Sequence, residues 1–315
     1  MIRAMRDPLV PFVLHRGAAV LDGGLATELA RNGFDLSGPL WSARALVTAP
    51  DRIAAVHRDY LRAGAEVITT ATYQATIPGL VAYGLNDAQA QETLVSGVAM
   101  ARRERDAFWA EHRGSDAALR PLVAASIGSF GAFLADGSEY RGAYDLSVDA
   151  LADWHRPRVR LLETAGADLL AFETIPALPE AEAIVRILAE RDGPPAWLSL
   201  QARDAHHVAD GAPVATAARL ADASPRIIAV GVNCVAPDLV GPLLGALSAG
   251  TAKPLVAYPN AGGRWDPAVR PWTPGEERRA WETWVPAWRH LRARLIGGCC
   301  RTTPDDIRAV AAALR

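Results

Sequence analysis

Asp168-Leu169-Leu170-Ala171-Phe172-Glu173 is an almost unbroken apolar run, and Ala196-Trp197-Leu198-Ser199-Leu200-Gln201 is another of similar length. Between them, residues 179–190 carry apolar side chains at helical spacing and stop near Gly193. Runs without polar alternation are what parallel strands buried on both faces look like, and the helix between them is the crossover that such strands need. Comparable runs stand at 18–22, 65–70, 122–126, 227–233, 254–258 and 294–298, which makes eight candidate strands. Helical patterns separate them at 50–63, closed by Gly64, and at 87–112, 148–165, 238–247 and 304–314, the last opened by Thr302 or Thr303 and Pro304. Eight strand–helix repeats predict a TIM (β/α)8 barrel, because right-handed crossovers close such a sheet on itself. An open doubly wound sheet usually shows GxGxxG after its first strand, and Asp22-Gly23-Gly24-Leu25-Ala26-Thr27 departs from that pattern.

No composition shift marks a linker, so residues 1–315 are assigned to a single domain, with the Pro- and Trp-rich stretch 265–286 as a long seventh loop plus helix. Half of the residues are hydrophobic and the net charge is −2, which gives no support for a nucleic-acid partner. No apolar run reaches the ~20 residues needed to span a bilayer, and the apolar patch at 9–14 is too short and Pro-broken for a signal peptide. The expectation is a cytoplasmic protein without a membrane partner, monomeric or a small homo-oligomer.

In a TIM barrel the chemistry sits at the C-terminal ends of the strands. Reading those ends in order gives Asp22, the segment from Thr70 to Gln74, the segment from Ser126 to Phe130, Glu173, Gln201, Asn233-Cys234, the segment from Tyr258 to Asn260, and Cys299-Cys300. All three cysteines of the chain fall in this ring, together with two carboxylates. Three thiolates could converge on one zinc ion, leaving its fourth position for a soft ligand such as a substrate thiol. A structural zinc normally has four ligands and CxxC spacing, both missing here; inert buried cysteines, or a disulfide between Cys299 and Cys300, are the alternatives. Asp22 and Glu173 could face the ammonium of an amino acid, and the Gly23-Gly24 turn could receive its carboxylate. Asp22 could equally cap the helix that follows it, and Glu173 could pair with a neighbouring loop. His206-His207 reads as a solvated loop, the segment from Arg102 to Arg105 as an exposed helix face, and Trp281, Trp284 and Trp288 as a packing stripe.

Leu21-Asp22-Gly23-Gly24-Leu25-Ala26-Thr27-Glu28-Leu29 resembles the opening of the homocysteine S-methyltransferase family, and Gly231-Val232-Asn233-Cys234 and Gly297-Gly298-Cys299-Cys300 resemble its two zinc motifs. Residues 57–64, Phe172-Glu173-Thr174-Ile175-Pro176 and Arg301-Thr302-Thr303-Pro304 match as well. The resemblance runs in order along nearly the whole chain. Residues 134–142 and Tyr258-Pro259-Asn260 are similar to the branch that takes its methyl group from S-methylmethionine or S-adenosylmethionine. The extra domains of the folate- and cobalamin-dependent members and the C-terminal extension of the betaine-using members find no counterpart. In the donor-side loops the chain has Ala261, Gly263 and Ser129-Phe130 where the pattern has Ser, Glu and Pro-Tyr.

The resemblance implies zinc at Cys234, Cys299 and Cys300, and homocysteine held by Asp22, Gly23, Gly24 and Glu173. Asn233, Tyr73, Gln74 and Asn260 complete the expected substrate site. No protein general base is expected, since the metal activates the substrate thiol. The donor's cationic sulfur could rest on the faces of Tyr73, Phe130 or Tyr258. Two rival readings keep the barrel: a zinc hydrolase acting through metal-bound water, and a non-catalytic metal or amino-acid binding protein.

Overall fold

The structure is a computed structural model that describes residues 7–38, 40–113, 119–262, 264–265, 272–273 and 280–315. Eight parallel strands, β1 (Ala19–Val20), β2 (Val67–Thr69), β3 (Leu122–Gly128), β4 (Leu169–Ile175), β5 (Ala196–Leu200), β6 (Ile227–Asn233), β7 (Leu255–Tyr258) and β8 (Ala293–Ile296), form one sheet in the order β1-β8-β7-β6-β5-β4-β3-β2. A parallel bridge between Leu21 and Val67, with Glu66 N–H donating to the Val20 carbonyl at 2.8 Å, joins the two ends and closes the barrel. Each expected apolar run is one of these strands, with no bound displaced by more than two residues.

Alternate residues of each strand enter two separate apolar clusters. Ala19, Leu122, Ala124, Leu169, Ala171, Trp197, Ala229, Val256 and Leu295 fill the barrel interior, while Val20, Val123, Ala125, Leu170, Phe172 and Val230 pack outward against the helices. Small interior alanines leave room for the Trp197 indole, whose N–H donates to the Tyr258 hydroxyl at 3.2 Å. The helix Val10–Arg16 sends Phe12, together with Leu9, into the interior cluster beside the starts of the strands. The short apolar patch near the N-terminus is therefore a plug for the bottom of the barrel, a role that periodicity alone did not reveal.

The outer helices start and stop where side-chain chemistry dictates. Asn86 and Gln89 form a reciprocal capping box that starts Asp87–His112. Gly64, at φ 104°, ends Pro50–Ala63 in the left-handed conformation that glycine tolerates. Asp306 accepts hydrogen bonds from the Thr303 N–H and hydroxyl at the start of Pro304–Ala313. The helix Val214–Asp222 between β5 and β6 was not anticipated, because its alanine-rich sequence shows little apolar contrast.

Two expectations change here. Arg102 and Arg103 are exposed as expected, but Glu104 and Arg105 are buried. The Arg105 guanidinium donates to Asp168 at 2.8 Å and to the Pro121 carbonyl at 3.1 Å, tying the starts of β3 and β4 to the long helix. A buried guanidinium is tolerated because these acceptors replace water. Within 265–286, Arg264–Trp265 pairs antiparallel with Trp272–Thr273 and the helix begins at Trp281, while 266–271 and 274–279, like Gly263, lie outside the described residues. Trp281 and Trp288 are buried in mutual ring contact with Trp284, as a packing stripe should be. His207 bonds Asp204 in a half-exposed loop. Among the described residues no helix is long and apolar enough to cross a membrane.

His57, on the helix Pro50–Ala63, is wholly buried with neither ring nitrogen bonded, and burial holds its pKa down at about 4. The unfolded chain therefore takes up this proton first, near pH 6.5, and the folded chain only near 4. Stability should fall as pH drops through that window, by on the order of 3 kcal/mol for this group alone. Denaturant titrations of the chain and of His57→Leu between pH 7 and 4 should diverge by about that amount; parallel curves would refute the assignment.

Candidate metal centre and substrate site

The ends of β6 and β8 approach each other because three glycines permit it. A Cβ on Gly231 would lie 1.9 Å from the Val256 carbonyl oxygen of β7. A Cβ on Gly297 would lie 2.6 Å from the Leu21 Cβ, and one on Gly298 2.4 Å from the Thr302 hydroxyl. Beyond the strands, backbone bonds interlock the loops: Cys234 N–H to Tyr258 O at 3.3 Å, Cys299 N–H to Pro259 O at 2.8 Å, and Ala261 N–H to Cys300 O at 3.0 Å. Cys234 takes a left-handed φ of 57°, a strained conformation for a residue with a Cβ, and Arg301 does the same at 66°.

The result is a cluster in which the Cys234, Cys299 and Cys300 sulfurs lie within 4.8 Å of one another, with Cys234 and Cys300 at 3.7 Å. Tetrahedral bonds of ~2.3 Å to zinc put ligating sulfurs ~3.8 Å apart, so the spacing suits one such ion. All three are free thiols, so Cys299 and Cys300 are not joined in a disulfide. The neighbouring thiols together with burial push each of them well above the ordinary thiol range, and a bound cation would reverse that shift. The donor set, three soft thiols with no fourth ligand among the described residues, fits a metal that keeps one position for a soft substrate atom.

Beside the cluster stand the two carboxylates. Asp22 caps no helix: it accepts from the Thr69 N–H at 2.7 Å and the Thr69 hydroxyl at 3.1 Å, across the β1–β2 seam. Glu173, at the end of β4, accepts from the Ser126 hydroxyl of β3. Burial pushes both carboxyls above the usual range; for Asp22 the negative charge of Glu173 adds to the rise, and the Thr69 N–H opposes it. No cation of the described residues is among the main groups acting on either. Two mutually repelling, buried acids without a counter-charge cost stability unless a cation joins them.

The other expected residues divide in two. Asn233 spends its amide on the protein, accepting from the Thr174 N–H and donating to the Thr174 hydroxyl, both at 2.8 Å, with its Nδ2 3.8 Å from the Cys299 sulfur. It steadies Thr174, itself at a φ of 56°. Gly24 likewise gives its N–H to Thr302 Oγ1 at 3.0 Å, and a Cβ there would lie 2.6 Å from the Cys299 carbonyl oxygen, so this glycine serves close packing of the two loops. A Cβ on Gly23 would lie 2.8 Å from the Tyr60 ring and hydroxyl. Gln74 and Asn260, by contrast, are buried, and each leaves its side-chain oxygen without a donor, as does Gln201. Tyr73 lies along Gly128, while Phe130 is absorbed in an aromatic group with Phe133, Tyr144 and Trp154. Tyr258 is buried against Trp197.

Several site residues were not singled out from sequence. Thr69 holds Asp22, as Ser126 of the expected strand-end ring holds Glu173, and the Tyr140 hydroxyl lies 3.8 Å from the Cys234 sulfur. Arg158, buried on the helix Val148–Thr164, donates to the Gly128 carbonyl and to the Tyr73 and Ala75 carbonyls at 3.4 Å, linking the loops after β2 and β3. Only their position beside strand ends could have flagged them.

A closed parallel barrel whose mouth gathers three thiols that could hold one metal ion, beside two buried acids, has the build of an enzyme of the TIM-barrel class. Residues 19–314 match the family model described as homocysteine S-methyltransferase. The chain is 46% identical to homocysteine S-methyltransferase 3 of Arabidopsis thaliana, over 95% of this chain and 90% of that one. It is 45% identical to homocysteine S-methyltransferase YbgG of Bacillus subtilis, over 93% of each. The crystal structure of the homocysteine methyltransferase MmuM from Escherichia coli, metallated form, superimposes with a TM-score of 0.87 at 43% identity, covering 97% of this chain and 99% of that one. The chain belongs to the homocysteine S-methyltransferase family and is an enzyme of that type, which sets aside the hydrolase and the non-catalytic readings.

Cys300→Ser removes one of three soft ligands. Metal content of protein reduced and reconstituted with zinc should drop from about one equivalent to near none, with the fold intact by circular dichroism. Full retention of metal would exclude Cys300 as a ligand.

Proposed function

We propose that this enzyme transfers a methyl group from a sulfonium donor, S-methylmethionine or S-adenosylmethionine, to the sulfur of L-homocysteine, giving methionine, with zinc held by Cys234, Cys299 and Cys300. We place this activity in a single-domain protein of the cytoplasm. The observation that carries the reading is the pairing of two uncompensated buried carboxylates with a three-thiol cluster. A ligand that satisfies both must bring a cation and a soft atom together, which is what an amino acid with a thiol side chain does. The metallated form of the Escherichia coli relative supports the metal, and the spacing and softness of the thiols support zinc.

Zinc in that position would lower the pKa of the substrate thiol from its usual ~8.5, so that the nucleophile forms at neutral pH without a protein base. The rest is positioning by the protein. Asp22 and Glu173 bind the homocysteine ammonium, and the Gly23 N–H with the first turn of the following helix faces its carboxylate, Gly24 holding the turn through its own N–H to Thr302. Asn233, through Thr174 and Cys299, keeps the end of β4 in register with the thiol cluster. Gln74, Asn260 and Tyr73 line the donor side; Phe130 is absorbed in its aromatic group and the Tyr258 hydroxyl bonds Glu173, while Tyr73, beside Cys234, offers a face to the cationic sulfur. The attacking thiolate and the sulfonium lose their charges together, so a mouth lined by buried groups favours the step by excluding water. The departing thioether is neutral and needs no proton, in keeping with a mouth whose strand ends carry no histidine.

Methionine formation from homocysteine in parallel reactions with S-methylmethionine, S-adenosylmethionine and betaine tests the donor. The two sulfonium compounds should be consumed and betaine left untouched; turnover of betaine alone would overturn the reading. Glu173→Ala should raise the KM for homocysteine roughly 10–100-fold, the loss of a charge-assisted hydrogen bond, while metal content stays the same. A variant that lost its metal instead would place Glu173 in the metal site.

A further inference from the structure

A third carboxylate reaches the mouth and is used by none of the steps above. Glu139 lies in the single 3-10 turn Ser138–Tyr140, between β3 and the helix Val148–Thr164. Its Oε2 is buried and has no hydrogen-bond donor. Its charge bears on Tyr73, Tyr140 and Cys300, whereas the groups acting on Glu173 do not include it. It shares its turn with Tyr140, whose hydroxyl lies 3.8 Å from the Cys234 sulfur, so it stands beside the thiol cluster and near Tyr73. The half-exposed Arg141 pairs with Asp136 at 3.8 Å and also draws the Glu139 carboxyl down, but burial outweighs it and the carboxyl stays above its usual range.

The chain holds this turn in place with some rigour. A Cβ on Gly131 would come within 2.5 Å of the Glu139 backbone nitrogen, so the helix Phe130–Leu134 packs directly against the turn. Gly142, at φ 65°, closes the other end, where a Cβ would meet the Pro176 carbonyl oxygen at 2.4 Å. The Ser138 N–H is bonded to Asp136 at 2.9 Å and the Gly142 N–H to the Ser138 carbonyl at 2.8 Å. A loop this constrained presents its carboxylate to the mouth as a fixed group. Backbone groups of Gly137 and Glu139 bond the carboxyl, but an Oε2 buried without a donor is still costly, and the cost is recovered when a cation arrives.

We infer that Glu139 is the counter-charge for the cationic methyl donor, holding it on the Tyr73 side of the three thiols. The inference rests on the sulfonium reading above. Homocysteine brings one cation, for which Asp22 and Glu173 are already in place; a sulfonium amino acid brings two more, at sulfur and at its own ammonium. Gln74 and Asn260, with side-chain oxygens that lack donors, add neutral acceptors to the same mouth. The sulfonium charge vanishes in the reaction while the ammonium charge persists. A contact to the ammonium would therefore lower the donor KM without slowing the methyl transfer, whereas one to sulfur would also hold back the step.

The test is steady-state kinetics on Glu139→Gln and Glu139→Asp, with zinc content and melting temperature measured alongside. Glu139→Gln should raise the KM for S-methylmethionine about tenfold or more, with the homocysteine KM changed less than about twofold and the metal retained. Glu139→Asp, which keeps the charge, should recover much of the loss and shows that the fold is not at fault. Trimethylsulfonium as donor separates the two cations: an equal loss places the contact at sulfur, and a loss confined to S-methylmethionine places it at the ammonium. Both results support a donor-binding carboxylate. An active parent enzyme whose Glu139→Gln variant has an unchanged donor KM, or loses homocysteine affinity in equal measure, overturns the inference alone. A parent inactive with every sulfonium donor overturns the donor reading and this inference with it.

Discussion

The convergence of Cys234 with Cys299 and Cys300 is the constraint around which the mouth of this barrel is arranged. The two strand ends that carry them are separated by β7, and they meet because the loops beyond the strands bond to one another through backbone groups of Tyr258, Pro259 and Ala261. Glycine is required at 231, 297 and 298 because neighbouring backbone or a threonine side chain occupies the space of a Cβ. The left-handed Cys234 and Arg301 show that local strain, of order 1–3 kcal/mol per residue, is accepted to aim side chains inward. That strain is carried by a frame whose interior and outer clusters are both apolar and closed.

Electrostatics then makes the site complementary to its ligands and uncomfortable without them. Three thiols, Asp22, Glu173 and Glu139 gather around one mouth, burial raises the carboxyl pKa values, and among the described residues only the half-exposed Arg141, acting on Glu139, answers them. A zinc ion, an ammonium and a sulfonium supply the missing positive charge in three chemically distinct forms. The protein's cations are placed elsewhere: Arg105 is paired at the bottom of the barrel, and Arg158 is spent on carbonyls that fix the loops after β2 and β3. The charge pattern thus separates a stabilising layer from a binding layer within the same fold.

How far the sequence could be read depended on the range of the interaction concerned. Strands declared themselves through unbroken apolar runs, and the helices through apolar spacing and end residues such as Gly64 and Pro304, because these signals are local. The Val214–Asp222 helix escaped notice since alanine is apolar enough for a core and small enough for a surface. Arg105 was read as solvated from its charged neighbours, although its partners Asp168 and the Pro121 carbonyl lie far away or on the next strand. Gly24 and Asn233 were marked as substrate contacts, yet their polar groups are engaged with Thr302 and Thr174. Glu139 sat unremarked inside a quoted motif, because nothing in the motif says that one of its oxygens is buried without a partner.

From its residues alone the chain determined a parallel barrel and the kinds of atom at its mouth, since strand period and strand-end position are properties of a one-dimensional pattern. Residue types also narrowed the metal, because sulfur selects soft ions wherever it is placed. What only the tertiary structure decided was distance and compensation: that the three sulfurs stand close enough to share an ion, that Asp22 and Glu173 face each other without a cation, and that Asn233 is already occupied. These depend on which loops touch after the barrel closes, and contacts between segments up to 278 residues apart, such as Gly24 with Thr302, leave no trace in local sequence.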